Sequence, residues 1–284
     1  MKLGAVTPVL TLLPRAHARW EETASFDDVV AVVREADRLG YHHCTCSEHV
    51  GVPVDIAETR GGRYYDPLAT FGALGALTSN IRFAAHVVVL GYHHPLAIAK
   101  RYGTLDAVTG GRLILGVGVG SLREEFELLG APFADRGARA DDAMRALRAA
   151  LSQLRPEYHG KHYDFEGFLV DPCAVQDHVP MWVGGRTFRS LRRAVDLGDG
   201  WAPFGLRTVE LAEMLGRVEL PSGFDVMLQN EHPLDPIAEP ERVGDQLRKF
   251  ADIGATGVNV RFAHHSRAHY CEQLAALVAV AATL

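Results

Sequence analysis

Eight short apolar and β-branched runs punctuate this chain, and each is followed by a stretch with helical apolar spacing. The runs predict strands over Leu3–Val9, His42–Ser47, Ile81–Val89, Leu113–Val117, Pro180–Val183, Trp201–Pro203, Phe224–Leu228 and Gly257–Arg261. Helical signals sit between them: Phe26–Leu39 stopping at Gly40, Asp66-Pro67 as cap and first turn, and Pro95 opening a segment that Gly110 closes. Further helices are expected at Arg189–Leu197, Pro240–Ile253 and Ala268–Ala282. Eight β–α repeats predict an α/β fold, a (β/α)8 TIM barrel. The competitor is a doubly wound sheet. There, however, a glycine-rich loop follows the first strand, and here it follows the fourth. Pro156–Pro180 breaks the alternation and reads as a short hairpin or irregular insertion before strand five. With no linker, repeat or low-complexity stretch, residues 1–284 are expected to form one domain.

Composition narrows the function classes. A formal net charge of −6 without a basic block argues against nucleic acid as a partner. No apolar run reaches the roughly 18 residues of a membrane span. Met1–Val6 is too short for a signal-peptide core. Cys44, Cys46, Cys173 and Cys271 are too few and too scattered for a disulfide framework. A cytoplasmic protein is expected.

The richest chemical signal is Gly110–Phe126, in which the Leu113–Val117 strand runs into Gly116, Gly118 and Gly120 and a helix opens at about Leu122. Glycines let the backbone turn sharply and leave N–H groups free to face a ligand, and a helix start adds roughly half a positive charge. That device suits phosphate or another anion. Gly184-Gly185-Arg186-Thr187 resembles a second such cradle, with Arg186 available to pair with an anion. Two cradles on adjacent strands suggest one long ligand with a phosphate-bearing tail. For Gly184–Thr187 the alternative is a plain turn of the chain with Arg186 solvated.

In a barrel the reacting groups stand just past the strand C-termini. Glu48 and His49 follow strand two, Tyr92, His93 and His94 follow strand three, and His264 and His265 follow strand eight. His49 is the preferred acid–base residue, because imidazole titrates near neutrality; a hydrogen-bonded structural histidine is the alternative. Glu48 reads as a supporting residue. His42, His43, Cys44, Cys46, Glu48 and His49 are dense in metal-ligating types, but successive strand residues face opposite sides, so no metal site is expected. Tyr92, His93, His264 and His265 are candidate polar groups of the pocket or its rim.

Three segments together resemble the bacterial luciferase-like family, in its branch dependent on the deazaflavin coenzyme F420. They are His94-Pro95 through Gly120 with Glu124-Glu125-Phe126 and Gly130, Pro180–Gly185 continuing to Gly198-Asp199-Gly200-Trp201, and Ser47-Glu48-His49. The resemblance implies a barrel holding a flavin-like ring over its strand ends. Gly118, Val119, Gly120, Ser121, Gly184, Gly185 and Arg186 would contact the phosphate tail, and His49 would sit near the reactive carbon as proton donor. It also implies a non-proline cis peptide beneath the ring, aligned here to His86–Val87; family members usually carry a small residue where His86 stands. The sugar-phosphate dehydrogenases of the family have Glu in place of Ser121, so that activity is not expected. The implied activity is hydride transfer between coenzyme F420 and a small organic substrate. Alternatives are an FMN-dependent monooxygenase or a non-catalytic flavin-binding protein. A homodimer is the expected assembly.

Overall fold

The computed structural model describes residues 1–14 and 16–284. Eight parallel strands close into a barrel: β1 (Lys2–Val6), β2 (His43–Cys46), β3 (Arg82–Ala85, resuming at Val88–Val89), β4 (Leu113–Gly118), β5 (Met181–Gly184), β6 (Gly200–Ala202), β7 (Asp225–Gln229) and β8 (Gly257–Val260). Closure runs through Lys2 opposite Gly257 on one side and Phe83 opposite Leu113 on the other. The expected TIM barrel is the observed fold. Around it lie α1 (Phe26–Arg38), α2 (Val54–Arg60), α3 (Pro67–Gly75), α4 (Pro95–Thr109), α5 (Arg123–Leu128), α6 (Arg136–Ala150), α7 (Phe188–Leu197), α8 (Thr208–Leu215), α9 (Pro240–Asp252) and α10 (Arg267–Ala281).

Local chemistry sets these boundaries. Ser25 and Asp28 box the start of α1, whose Val29, Val32, Val33 and Ala36 are buried at helical spacing. Asp66 accepts from the Ala69 N–H and Pro67 takes the first turn of α3. Gly110, at φ +67°, ends α4 in the left-handed conformation. The expected insertion before β5 is a two-stranded antiparallel hairpin, Tyr158–His159 with Asp164–Phe165.

Strand alternation divides the side chains. Outward residues such as Cys44, Cys46, Phe83, Leu113, Leu115, Val117, Val226, Val258 and Val260 join one large core with the helices. Inward residues Ala84, Ile114, Trp182, Ala202 and Met227 form a separate cluster inside the barrel. Below them His43 bonds Asn259 and fills the space left by Gly4, where a Cβ would lie 2.2 Å from the imidazole. Lys2 and Asp225 close this end with a 2.6 Å ion pair. The same alternation turns Val6, Ser47, His86, Gly118, Gly184, Gln229 and Arg261 inward at the opposite, C-terminal mouth.

Two strands differ from expectation. β1 stops at Val6, three residues short of the predicted end, because the chain turns away: Val9 has φ +73° and its N–H donates to Glu21 Oε2 at 2.7 Å. A β-branched residue rarely adopts that conformation. The third strand is interrupted at His86–Val87, whose peptide bond is cis, the bond to which the resemblance aligns one. Among the described residues no helix is long and apolar enough to cross a membrane.

Candidate active site

At the end of β2 the chain delivers His49 to the mouth, with its side chain 19% exposed. Its Nδ1 lies 2.8 Å from Oε2 of Glu125, a fully buried carboxylate on α5. The same oxygen accepts from the Tyr92 hydroxyl at 2.6 Å, and Oε1 accepts from the N–H groups of Val50 and Gly51. Burial pushes the Glu125 carboxyl up, but the bonds from His49, Tyr92 and Gly51 outweigh it and hold the group below its ordinary range. Glu125 is therefore an acceptor, which makes Nδ1 the proton-bearing nitrogen and leaves Nε2 for a ligand. Tyr64 packs edge-on against the imidazole at a ring separation of 4.4 Å. Burial and the bond to Glu125 raise the Tyr92 hydroxyl well above its ordinary value, so it stays a donor.

The two glycine loops face each other across Val87. A Cβ on Gly118 would sit 2.5 Å from one Val87 methyl, and a Cβ on Gly184 would sit 2.5 Å from the other. These two glycines make room for the Val87 side chain. Gly120 (φ +75°) and Gly185 (φ +128°) are the positions that need glycine for conformation. Ser47 Oγ donates to the carbonyl of His86 at 2.9 Å, and the His86 ring reaches the Ala202 carbonyl at 3.2 Å, fixing the segment that bears Val87.

Among the described residues, no acceptor is present for the N–H groups of Val119, Gly120, Ser121 and Arg186. Arg136 donates to the Gly120 carbonyl at 3.1 Å and braces the loop. Arg60, at the end of α2, donates to Ser121 Oγ at 3.2 Å. Free amides, a hydroxyl and a guanidinium form a donor set that fits an anionic tail. Arg186 is exposed beside its loop. Arg60 and Glu125 are the residues that the sequence reading missed. α2 buries none of its side chains and so carries no periodic signal, while Glu125 meets a partner 76 positions away.

The remaining candidates make the following contacts within the protein. Glu48 accepts from the Val89 N–H at 2.6 Å and bonds His93 Nε2 at 2.7 Å, tying β2 to the turn after β3. His264 is bonded by Trp20 Nε1 at 2.9 Å, and burial lowers its pKa to about 4. His265 is exposed, and its ring centroid lies 4.1 Å from that of His269 with the planes tilted by 35°. The metal-ligating types of the second strand diverge: His43 lies inside the barrel, Cys44 and Cys46 lie in the outer core, Glu48 bonds His93, and His49 bonds Glu125.

A parallel barrel with its polar groups collected past the strand C-termini is an enzyme scaffold. Residues 7–219 match the model of the luciferase-like monooxygenase family, and the chain belongs to that family of oxidoreductases. An uncharacterized protein of Mycobacterium tuberculosis is 31% identical over 211 residues, covering 70% of this chain and 73% of the relative. Two solved structures share the fold at low identity. The coenzyme F420 dependent tetrahydromethanopterin reductase of Methanopyrus kandleri has a TM-score of 0.76 at 15% identity, over 98% of this chain and 97% of that one. The oxygenating constituent of 3,6-diketocamphane monooxygenase from Pseudomonas putida, in complex with FMN, has a TM-score of 0.72 at 17% identity, over 98% and 97%.

Proposed function

We propose that this chain is an oxidoreductase that passes hydride between the deazaflavin coenzyme F420 and a small organic substrate, with His49 moving the accompanying proton. The observation that carries the reading is the pairing of part-buried His49 with buried Glu125 at the same mouth as the two loops that carry free backbone donors. When bound, the coenzyme supplies the hydride chemistry. The loop N–H groups of residues 119–121 and 186, with Arg60 and Ser121, would hold the phosphate tail. Val87 and the His86 ring would form the floor for a flat ring. Glu125 keeps His49 in one tautomer, so Nε2 faces the substrate as proton donor when the imidazole is charged and as acceptor when it is neutral. A homodimer in the cytoplasm completes the proposal.

The likeness to an FMN complex supports a second reading, a flavin-dependent monooxygenase built on the same loops. The two differ in what they consume. Under the first, the purified chain oxidises reduced F420 without oxygen when offered enones, imines or ketones. Under the second, reduced FMN and oxygen are consumed together and reduced F420 is left untouched.

A further inference from the structure

Arg261 stands immediately past β8, two residues on from Asn259, whose side chain lies inside the barrel. Strand alternation therefore turns Arg261 inward at the mouth. Its backbone is fully held: the N–H donates to Asn230 Oδ1 at 3.0 Å, and the carbonyl accepts from Asn230 Nδ2 at 3.1 Å and from the Leu234 N–H at 2.9 Å. Its guanidinium is not. Nε is sealed from solvent without an acceptor, and no carboxylate among the described residues pairs with the group. Arg82 shares the orphaned Nε but donates through Nη2 to the Leu113 carbonyl, and Arg63, Arg112, Arg136, Arg148 and Arg193 each donate to a carbonyl or a carboxylate. Burial with no opposite charge beside it pulls the Arg261 guanidinium below its ordinary range.

In the closed ring of eight strands, β8 lies diametrically opposite β4 and three strands from β5. The cofactor tail proposed at the β4 and β5 loops thus enters across the mouth from Arg261. The next inward position on β7 is Gln229, which is neutral, and Phe204, past β6, is 44% exposed and lies 6.4 Å from the His86 ring. We propose that Arg261 binds a carboxylate of the substrate, with the substrate's apolar body against Phe204; this rests on the cofactor occupying the β4 and β5 loops. One planar guanidinium without a second cation suits a singly charged, planar carboxylate better than a phosphate dianion. Arg261 is a specificity residue: it sets which acceptors reach His49.

The test is ligand-detected NMR titration of the full chain with benzoate, benzamide and phenyl phosphate, for wild type, Arg261→Gln and Arg261→Lys. Wild type is expected to prefer benzoate over benzamide by about tenfold or more, the range of one charge-assisted pair. Arg261→Gln should erase the preference, Arg261→Lys should retain part of it, and both should bind F420 or FMN within about twofold of wild type. Equal binding of benzoate and benzamide by wild type overturns the proposal, as does an undiminished preference in Arg261→Gln. Phenyl phosphate bound about tenfold more tightly than benzoate overturns the carboxylate assignment, and a parallel loss of cofactor affinity in Arg261→Gln moves the guanidinium to the cofactor. If neither cofactor binds while the benzoate preference persists, the hydride-transfer reading fails and the anion site stands.

Discussion

His49 Nδ1 and Glu125 Oε2 meet at 2.8 Å, joining the end of the second strand to the helix that follows the glycine loop. The contact couples the proton-transfer group to the segment proposed to hold the cofactor tail. Glu125 has four donors around it, and a glutamine could satisfy only part of them.

His49→Ala should therefore lower turnover about 10²-fold or more while leaving cofactor affinity close to wild type. Glu125→Gln should shift the pH–rate profile, because the imidazole loses its carboxylate, and should also cost about 1–3 kcal/mol of stability. Steady-state kinetics from pH 5 to 9, with urea unfolding of each variant, measures both. An unshifted profile for Glu125→Gln would remove its positioning role.

Val87 sits between the two loops, so its contacts with Gly118 and Gly184 should be energetically coupled. Gly118→Ala places a methyl 2.5 Å from a Val87 methyl and should destabilise by about 1–3 kcal/mol. In the Val87→Ala/Gly118→Ala double variant the obstructing methyls are gone, and the total loss should fall short of the sum of the single losses. Urea midpoints for the four proteins give the coupling, and strict additivity would contradict the packing described.

Arg60 reaches Ser121 across 3.2 Å, at the loop proposed to grip the anionic tail. Arg60→Ala should weaken cofactor binding by about tenfold, one charge-assisted bond, and the deficit should shrink as salt is raised. Titrations at 20 mM and about 500 mM salt test this, and a salt-independent deficit would point to packing instead.

Acid should unfold the protein in a defined window. Burial, with the charges of Lys2 and Arg82, lowers His42 to about 4; burial lowers His43 to about 3 and His264 to about 4. Above about pH 6.5 these groups are neutral in both states and nothing is lost. As pH falls below that, the unfolded chain takes up protons that the fold resists. Stability should then drop by up to about 1.4 kcal/mol per pH unit per imidazole until about pH 4. The lowered Glu125 adds stability that is present above its ordinary carboxylate range and is lost only further down. Urea unfolding at pH 7.5, 6.0 and 5.0 reads the slope; a flat profile would mean that these histidines are solvated.

Much of this was legible in the sequence because the barrel repeats one pattern. Strand runs such as Leu113–Val117 and helix stops such as Gly110 depend on neighbours within a few residues, and the structure places them within a residue or two of expectation. Ser47, Glu48 and His49 were legible as strand-end groups for the same reason. What failed depends on distance in sequence. The end of β1 is set by Glu21, which captures the Val9 N–H. Glu125 lies in a recognisable motif, yet its meaning comes from His49 and Tyr92. Arg261 closed the eighth predicted strand as an unremarked residue, and its lack of a partner is visible only once its neighbours are in place.

The most direct measurement is a parallel fluorescence titration of the purified chain with coenzyme F420 and with FMN. Saturable one-to-one binding of F420, tighter than FMN and weakened by Arg60→Ala, is the predicted result. Tight FMN binding with no response to F420 would contradict it and assign the mouth to flavin chemistry.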